Sequence, residues 1–259
     1  MNVVYLVLLA IASYFVGNVN WAVIISKFKK TDIRTMGSGN PGTLNMSRNF
    51  GLKFGLLTFF LDIMKGVVPT LVAFFAFRGI KAEDSAFYLH DFAIYLCGLC
   101  AVLGHIFPVT MRFKGGKGIA TTIGVFVVCE SVHGPGWASI AIMAIVAAAV
   151  FIYFTEFGAM GSFIAITPPA VSGLIRLYLD YGAYVDDPIC ITFHIITNML
   201  IFAICFFTWY AHKKNIKRML AGEEHPTSIK EMVVKMKAKK LAAKASENAE
   251  KINENDNKK

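Results

Sequence analysis

The chain has 259 residues, 56% of them hydrophobic, with a mean hydropathy of +0.55 and a formal net charge of +9. A water-soluble domain of this length needs more polar surface than this composition supplies, so the long apolar runs predict an all-α, polytopic membrane protein. The positive charge by its total suggests nucleic acid, but its placement along the chain explains it without one.

The N-terminus reads MNVVYLVLLAIASYFVG with no basic residue before the apolar run, which predicts a retained first span rather than a cleaved signal. Apolar segments follow in order at 3–25, 54–77, 92–111, 118–129, 137–154, 162–179 and 189–210. About seven spans result, with five full spans plus two short ones as the alternative, because 118–129 is short for a bilayer that needs ~20 helical residues. Of the 26 lysines and arginines, six lie in 26–53, three in 112–117 and thirteen after Ala211; the remaining four are Lys65, Arg78, Lys81 and Arg176. Seven spans put the three basic regions on one side, which predicts the N-terminus out and the C-terminus in. The five cysteines, Cys97, Cys100, Cys129, Cys190 and Cys205, lie in or beside apolar segments without paired metal spacing and read as packing residues. No metal site or cofactor is expected.

Four segments then face the cytoplasm: GSGNPGTLNMSR (37–48), RFKGGKG (112–118), TEFGAMGS (155–162) and HKKNIKRMLAGEE (212–224). Glycine lets backbone N–H groups approach a ligand, a helix starting after such a loop adds its positive end, and lysine and arginine supply charge. Together these predict a site for phosphate-like anions at the membrane surface. His212 and Asn215, spaced i,i+3, share a helix face and could act on the anion or on a reacting hydroxyl, or be a simple interfacial pair. His105 reads as an interior histidine bonded to a backbone carbonyl. Asp62 and Lys65, inside the second span, are expected to pair with each other or with another helix. Glu130, His133, Asp180, Asp186 and Asp187 read as solvated residues of the outer loops. No GxSxG, HExxH or histidine followed by aspartate five residues on is present, so no side-chain general base is evident and positioning and electrostatics must dominate.

GSGNPGTLNMSR, GHIFPVTMRFKGGKGIAT and HKKNIKRMLAGEE, in this order over roughly residues 1–224, resemble the three signature blocks of the bacterial acyl-phosphate-dependent glycerol-3-phosphate acyltransferases (the PlsY family). KKTDIRTMG and LDIMKG also fit that pattern. The resemblance implies a seven-helix enzyme of the bacterial cell membrane with its site on the cytoplasmic face. It would transfer an acyl chain from acyl phosphate to the first hydroxyl of glycerol-3-phosphate, giving lysophosphatidic acid and phosphate, without metal or cofactor. By resemblance, Ser38 with the backbone of Gly37, Gly39, Asn40 and Gly42 holds a phosphate. Asn45, Arg48 and Lys114 or Lys117, with Gly115, Gly116 and Gly118, hold the two phosphorylated substrates. Ser162 matches the family's loop serine, His212 and Asn215 its histidine and asparagine, and Glu224, or its neighbour Glu223, its glutamate. The family is understood to let the acyl phosphate's own phosphate accept the hydroxyl proton, in keeping with the missing base. Implied partners are the two substrates and the bilayer, with no nucleic acid and a monomeric state.

The chain departs from the family at Leu44, at Gly158 and Ala159 where serines are common, at Glu156 where a basic residue is common, and at Pro226. A membrane-embedded domain over 1–224 would be followed by a Lys-rich tail, 225–259, partly helical or disordered. A transporter of organic phosphates and a non-catalytic membrane scaffold are the rival readings; all site loops falling on one face and the lack of an internal repeat count against transport.

Overall fold

The structure, a computed structural model, describes residues 2–181 and 186–223 together with three single tail positions, 234, 238 and 241. The rest of the tail, 225–259, and Glu224 lie outside the described residues. Within these residues the fold is helical, with one isolated bridge between Lys81 and Tyr88. The helices are α1 (Asn2–Asn18), α2 (Trp21–Phe28), α3 (Thr43–Phe50), α4 (Leu52–Phe77), α5 (Leu89–Ile106), α6 (Ile119–Ser131), α7 (Pro135–Thr155), α8 (Gly158–Tyr181), α9 (Pro188–Ala211) and α10 (Lys213–Leu220). Single 3₁₀ turns lie at Ile33–Thr35 and Val109–Met111.

Among the described residues six helical segments are long and apolar enough to cross a membrane, α1 and α2 counting as one; α6, at 13 residues, is the short one. Yet α6 covers the same height as its neighbour. Near its start the loop glycine Gly116 packs on His105, at the end of α5. Just past its other end His133 Nε2 lies 3.1 Å from Asp91 Oδ1, at the start of α5. An antiparallel α6 thus matches α5 over Asp91–His105, a helix length of about 21 Å.

Backbone contact makes this tight packing possible. A Cβ on Gly66 of α4 would lie 2.1 Å from Thr121 O of α6, and one on Gly124 of α6 would lie 2.2 Å from Ile63 O of α4. The α1–α5 pair repeats the device with Gly17 against Ala101 O and Gly104 against Tyr14 O, each at 2.1 Å. In lipid, where apolar surface gives helices no reason to associate, such small residues allow the close van der Waals contact that does.

Three expectations change. The first apolar run is two helices: Asn18 ends α1, and Asn20 caps α2 by accepting a 3.0 Å hydrogen bond from Val23 N. The eighth helix begins at Gly158, not at residue 162, so Ser162 sits in its second turn. The residues read as solvated on the far side are also largely structural. Glu130 is fully buried, and His133 pairs with Asp91, which also lies 3.7 Å from the Arg176 guanidinium of α8. Asp187 caps α9 through Cys190 N at 2.8 Å and clamps the 80–89 hairpin through Ala86 N and Ser85 Oγ. Those N–H donors, Cys190 first, hold its carboxyl below the usual carboxylate range. Asp186 is exposed, as expected, whereas Asp180 belongs to α8 rather than to a loop.

Gly124→Val should push α6 off α4, with an overpacking cost of about 1–3 kcal/mol or more. We expect a thermal midpoint in detergent lowered by several degrees; an unchanged midpoint would contradict the backbone contact.

Candidate active site

The first block is a loop folded around one asparagine. Gly37 and Gly39 adopt φ of +56° and +69°, which glycine takes without strain. Asn45, 2% exposed, donates from Nδ2 to Ile33 O (3.2 Å) and Met36 O (2.9 Å), while its Oδ1 accepts from Ser38 N (3.2 Å) and Asn49 Nδ2 (3.0 Å). Its amide is therefore spent on shaping the loop, and Asn45 positions Ser38 rather than reaching out itself. Ser38 is exposed, and its Oγ accepts from Asn40 N at 3.4 Å. Gly42 opens α3, whose first N–H groups are the positive end of a helix, and Arg48 stands exposed on α3. Upstream, Asp32 caps the 3₁₀ turn; hydrogen bonds from Arg34 hold its carboxyl down at about 2.

The second block differs in kind from the sequence expectation. Gly115 N donates to Ile106 O and Gly116 N to His105 O, both at 3.1 Å. Those two N–H groups close the end of α5 and are not offered to a ligand. A Cβ on Gly115 would meet His105 O at 2.0 Å, and one on Gly116 would meet His105 Nε2 at 2.2 Å. The paired glycines exist because the loop folds back directly onto His105. The loop's strained turn comes earlier, at Arg112 and Phe113 with φ of +52° and +59°. Gly118, at φ +83°, starts α6; Lys114 is exposed and Lys117 half-buried beside it.

Beneath both blocks lies a buried cation. Lys65 and Asp62 pair at 2.8 Å, as expected, both almost fully buried. Lys65 Nζ also donates to Val19 O at 2.9 Å and contacts His105 Nδ1 at 2.7 Å, with Gly17 O further off at 3.4 Å. His105 thus takes a lysine as partner instead of the expected carbonyl. An ammonium only donates, so Nδ1 accepts and the ring proton sits on Nε2, against Gly116. The carbonyls of Gly17 and Val19 are open to Lys65 because α1 ends at Asn18. Asn18 Oδ1 accepts from Thr110 N and Thr110 Oγ1 at 3.1 and 2.8 Å, and Asn20 Nδ2 reaches Pro41 O at 3.5 Å. The first and second blocks are joined through this break.

The third block closes the site. His212, 2% exposed, places Nδ1 2.9 Å from Thr208 O; a carbonyl only accepts, so Nδ1 carries a proton, and Nε2 is the nitrogen that accepts whenever the ring is neutral. Asn215 is the buried residue of α10, on the face it shares with His212. Thr208 Oγ1 lies 3.0 Å from Thr122 Oγ1, which ties α9 to α6. Phe163 packs edge-on against His212 with ring centroids 5.4 Å apart, bringing the start of α8 to the same place. Ser162 turns its hydroxyl back onto Gly158 O at 2.9 Å. Glu223 is exposed.

The structure thus gathers the histidine block, the KGGKG loop and the GSGNPG loop at one end of the bundle. Asn18, Asn20, Thr110, Thr122 and Thr208, which join them, were not singled out in the sequence; two asparagines within three residues of an apolar run were the available signal. Among the described residues no cluster of three or more His, Cys, Asp or Glu could hold a metal.

These features define a polytopic, all-α membrane protein with a donor-rich, basic site at its helix ends. Comparison with known proteins sharpens that class. Residues 7–222 match the family model described as glycerol-3-phosphate acyltransferase. The glycerol-3-phosphate acyltransferase of Finegoldia magna is 32% identical over 86% of this chain and 97% of its own, and that of Aquifex aeolicus 33% identical over 84% and 96%. A crystal structure of PlsY, described as an integral membrane glycerol 3-phosphate acyltransferase in its glycerol 3-phosphate form, superposes with a TM-score of 0.67 at 30% identity, covering 88% of this chain and 98% of the other. A second PlsY structure, in the lysophosphatidic acid form, gives 0.66. The chain belongs to the glycerol-3-phosphate acyltransferase family.

Lys65→Met should leave Asp62 as an uncompensated buried charge, at about 3–5 kcal/mol, whereas Asp62→Leu/Lys65→Met removes both charges and should recover much of that loss. Thermal unfolding of the three proteins in one detergent checks this; a double variant no more stable than the single would count against the buried pair.

Proposed function

We propose that the chain transfers an acyl group from acyl phosphate to the sn-1 hydroxyl of glycerol-3-phosphate, in a bacterial cell membrane, as a monomer with its site on the cytoplasmic face. The observation that carries this reading is the convergence of three separated blocks on one end of the bundle, in a chain matched to the family over 7–222. The basic segments at that end agree with a cytoplasmic placement. A membrane-embedded unit over 1–224 would do the chemistry, with 225–259 as an appended tail.

In this reading the glycerol hydroxyl oxygen attacks the acyl carbonyl carbon, and the carbon–oxygen bond to phosphate breaks. The hydroxyl proton leaves on the departing phosphate, so no side-chain base is consumed. The chain's task is to hold two anions together and stabilise charge on the leaving group, and positioning of this kind supplies ~7–11 kcal/mol. Ser38, the N-terminus of α3, Arg48, Lys114 and Lys117 would hold the phosphates, with Glu224 closing the third block. His212, through its accepting Nε2, and Asn215 would orient the hydroxyl. Asn45, Gly115, Gly116 and His105 would shape the loops that do so, and Ser162 the start of α8.

Purified protein given palmitoyl phosphate and labelled glycerol-3-phosphate should form lysophosphatidic acid, and should not with palmitoyl-CoA. His212→Ala and Lys117→Ala should retain the fold and lose roughly 100-fold or more in kcat/KM, the scale of one lost transition-state donor. Folded wild-type protein that makes no product from acyl phosphate would overturn the reading and make phosphate-ester flux across proteoliposomes the next assay.

A further inference from the structure

Among the described residues, two of the grooves on the membrane-facing surface differ in where they lead. One, of about 420 Å³, lies between α1 and α4 against Tyr5, Leu8, Val72 and Ile80, at the end remote from the site. The other, of about 640 Å³, runs down α8. Its lining follows the helix repeat: Phe163, Thr167, Val171 and Ile175 at steps of four, with Ile164, Pro168 and Ser172 beside them. From α7 only Ile140 takes part. In the α7–α8 hairpin Ile140 is level with the 171–175 turn, so it marks the lower end.

The groove begins at the site, because Phe163 is the ring packed on His212. Its lining is mostly apolar: Thr167 and Ser172 are its polar side chains, and Ser172 donates its hydroxyl to Pro169 O at 2.9 Å. At its lower end the buried interior turns polar, with Glu130 and Arg176 behind Ser172 and Gly173.

We propose that this face of α8 holds the acyl chain of the acyl phosphate and measures its length, with Val171, Ile175 and Ile140 setting the limit. The inference rests on the acyltransferase reading above. Its occupant follows from three features: continuity with His212, a mostly apolar lining, and a length that suits one chain. Phe163 to Ile175 spans twelve residues, about 18 Å at the helical rise, which is the extended length of roughly fourteen methylenes. Saturated chains of about fourteen to sixteen carbons therefore fit best, and longer ones must bend out past Ile140 into lipid.

The test is a chain-length profile of acyl phosphates from ten to eighteen carbons, read as kcat/KM. Val171→Trp fills the groove two turns below Phe163 and should lower the ratio of palmitoyl to decanoyl phosphate turnover about tenfold or more. Val146→Trp, on lipid-facing α7 outside the groove, should leave the ratio as in the wild type. An unchanged ratio in active Val171→Trp, or an equal change in Val146→Trp, overturns the proposal. A palmitoyl phosphate carrying a mid-chain diazirine needs no variant: labelling of the wild type should fall within 167–175, and labelling of α1 and α4 instead overturns the groove. A wild type without acyl transfer sinks the acyltransferase reading, and the labelling pattern then decides the groove by itself.

Discussion

The site depends on one buried cation. Lys65 lies in the middle of α4, almost wholly out of solvent, where an unpaired ammonium in lipid is costly. It is retained by matching its three protons to Asp62, Val19 O and His105 Nδ1. Each match has a structural consequence. Asp62 neutralises it, Val19 O requires α1 to stop at Asn18, and His105 is fixed in one tautomer beneath the KGGKG loop. Three distant stretches of chain are thereby brought to one point. A helix end that would otherwise leave open carbonyls in the membrane becomes part of the foundation.

The glycines divide into three kinds, and the division explains why a glycine-rich loop is a poor pointer to a ligand. Gly37 and Gly39 serve dihedral angles that other residues adopt with strain. Gly66, Gly124, Gly17 and Gly104 serve helix contact. Gly115 and Gly116 serve the fold-back onto His105, and their N–H groups are already taken. An anion at the second block would therefore meet its lysines and the start of α6 rather than its paired glycines. The same loop thus needs both a compact floor and long, basic side chains, which is what KGGKG combines.

Hydropathy located every long helix to within a few residues, because an apolar run has few alternatives in a bilayer. It missed the break at Val19 because one residue between two asparagines barely changes a window average, although Asn18 and Asn20 are what end one helix and start the next. It also misread Glu130 and His133, since a charged residue at a span's edge looks the same whether it faces water or a neighbouring helix. Only the approach of α5 and α8 makes them interior. At the site, residue types and order were legible in the three blocks. The partition into groups that reach a ligand and groups that hold the loops was not, because it turns on long-range partners: Asn45 with Ile33 and Met36, His105 with Lys65, Thr122 with Thr208.

These placements also bear on where such chemistry can reside. If the donor is the proposed acyl phosphate, its phosphate head and long chain need two incompatible solvents, and only the membrane boundary meets both needs. Irregular backbone is tolerated at such depth only where protein lines it. Here the helices end just there: α1 breaks at Asn18, α6 starts at Gly118 and α9 hands over to α10 at His212. The opposite end is held differently. There Asp91, His133 and Arg176 draw α5, α8 and the turn after α6 together, and Asp187 staples the 80–89 hairpin to α9. One end of the bundle is closed by its own ion pairs. The other carries the three blocks, and beneath them Lys65 ties α4 to the end of α1 and to His105.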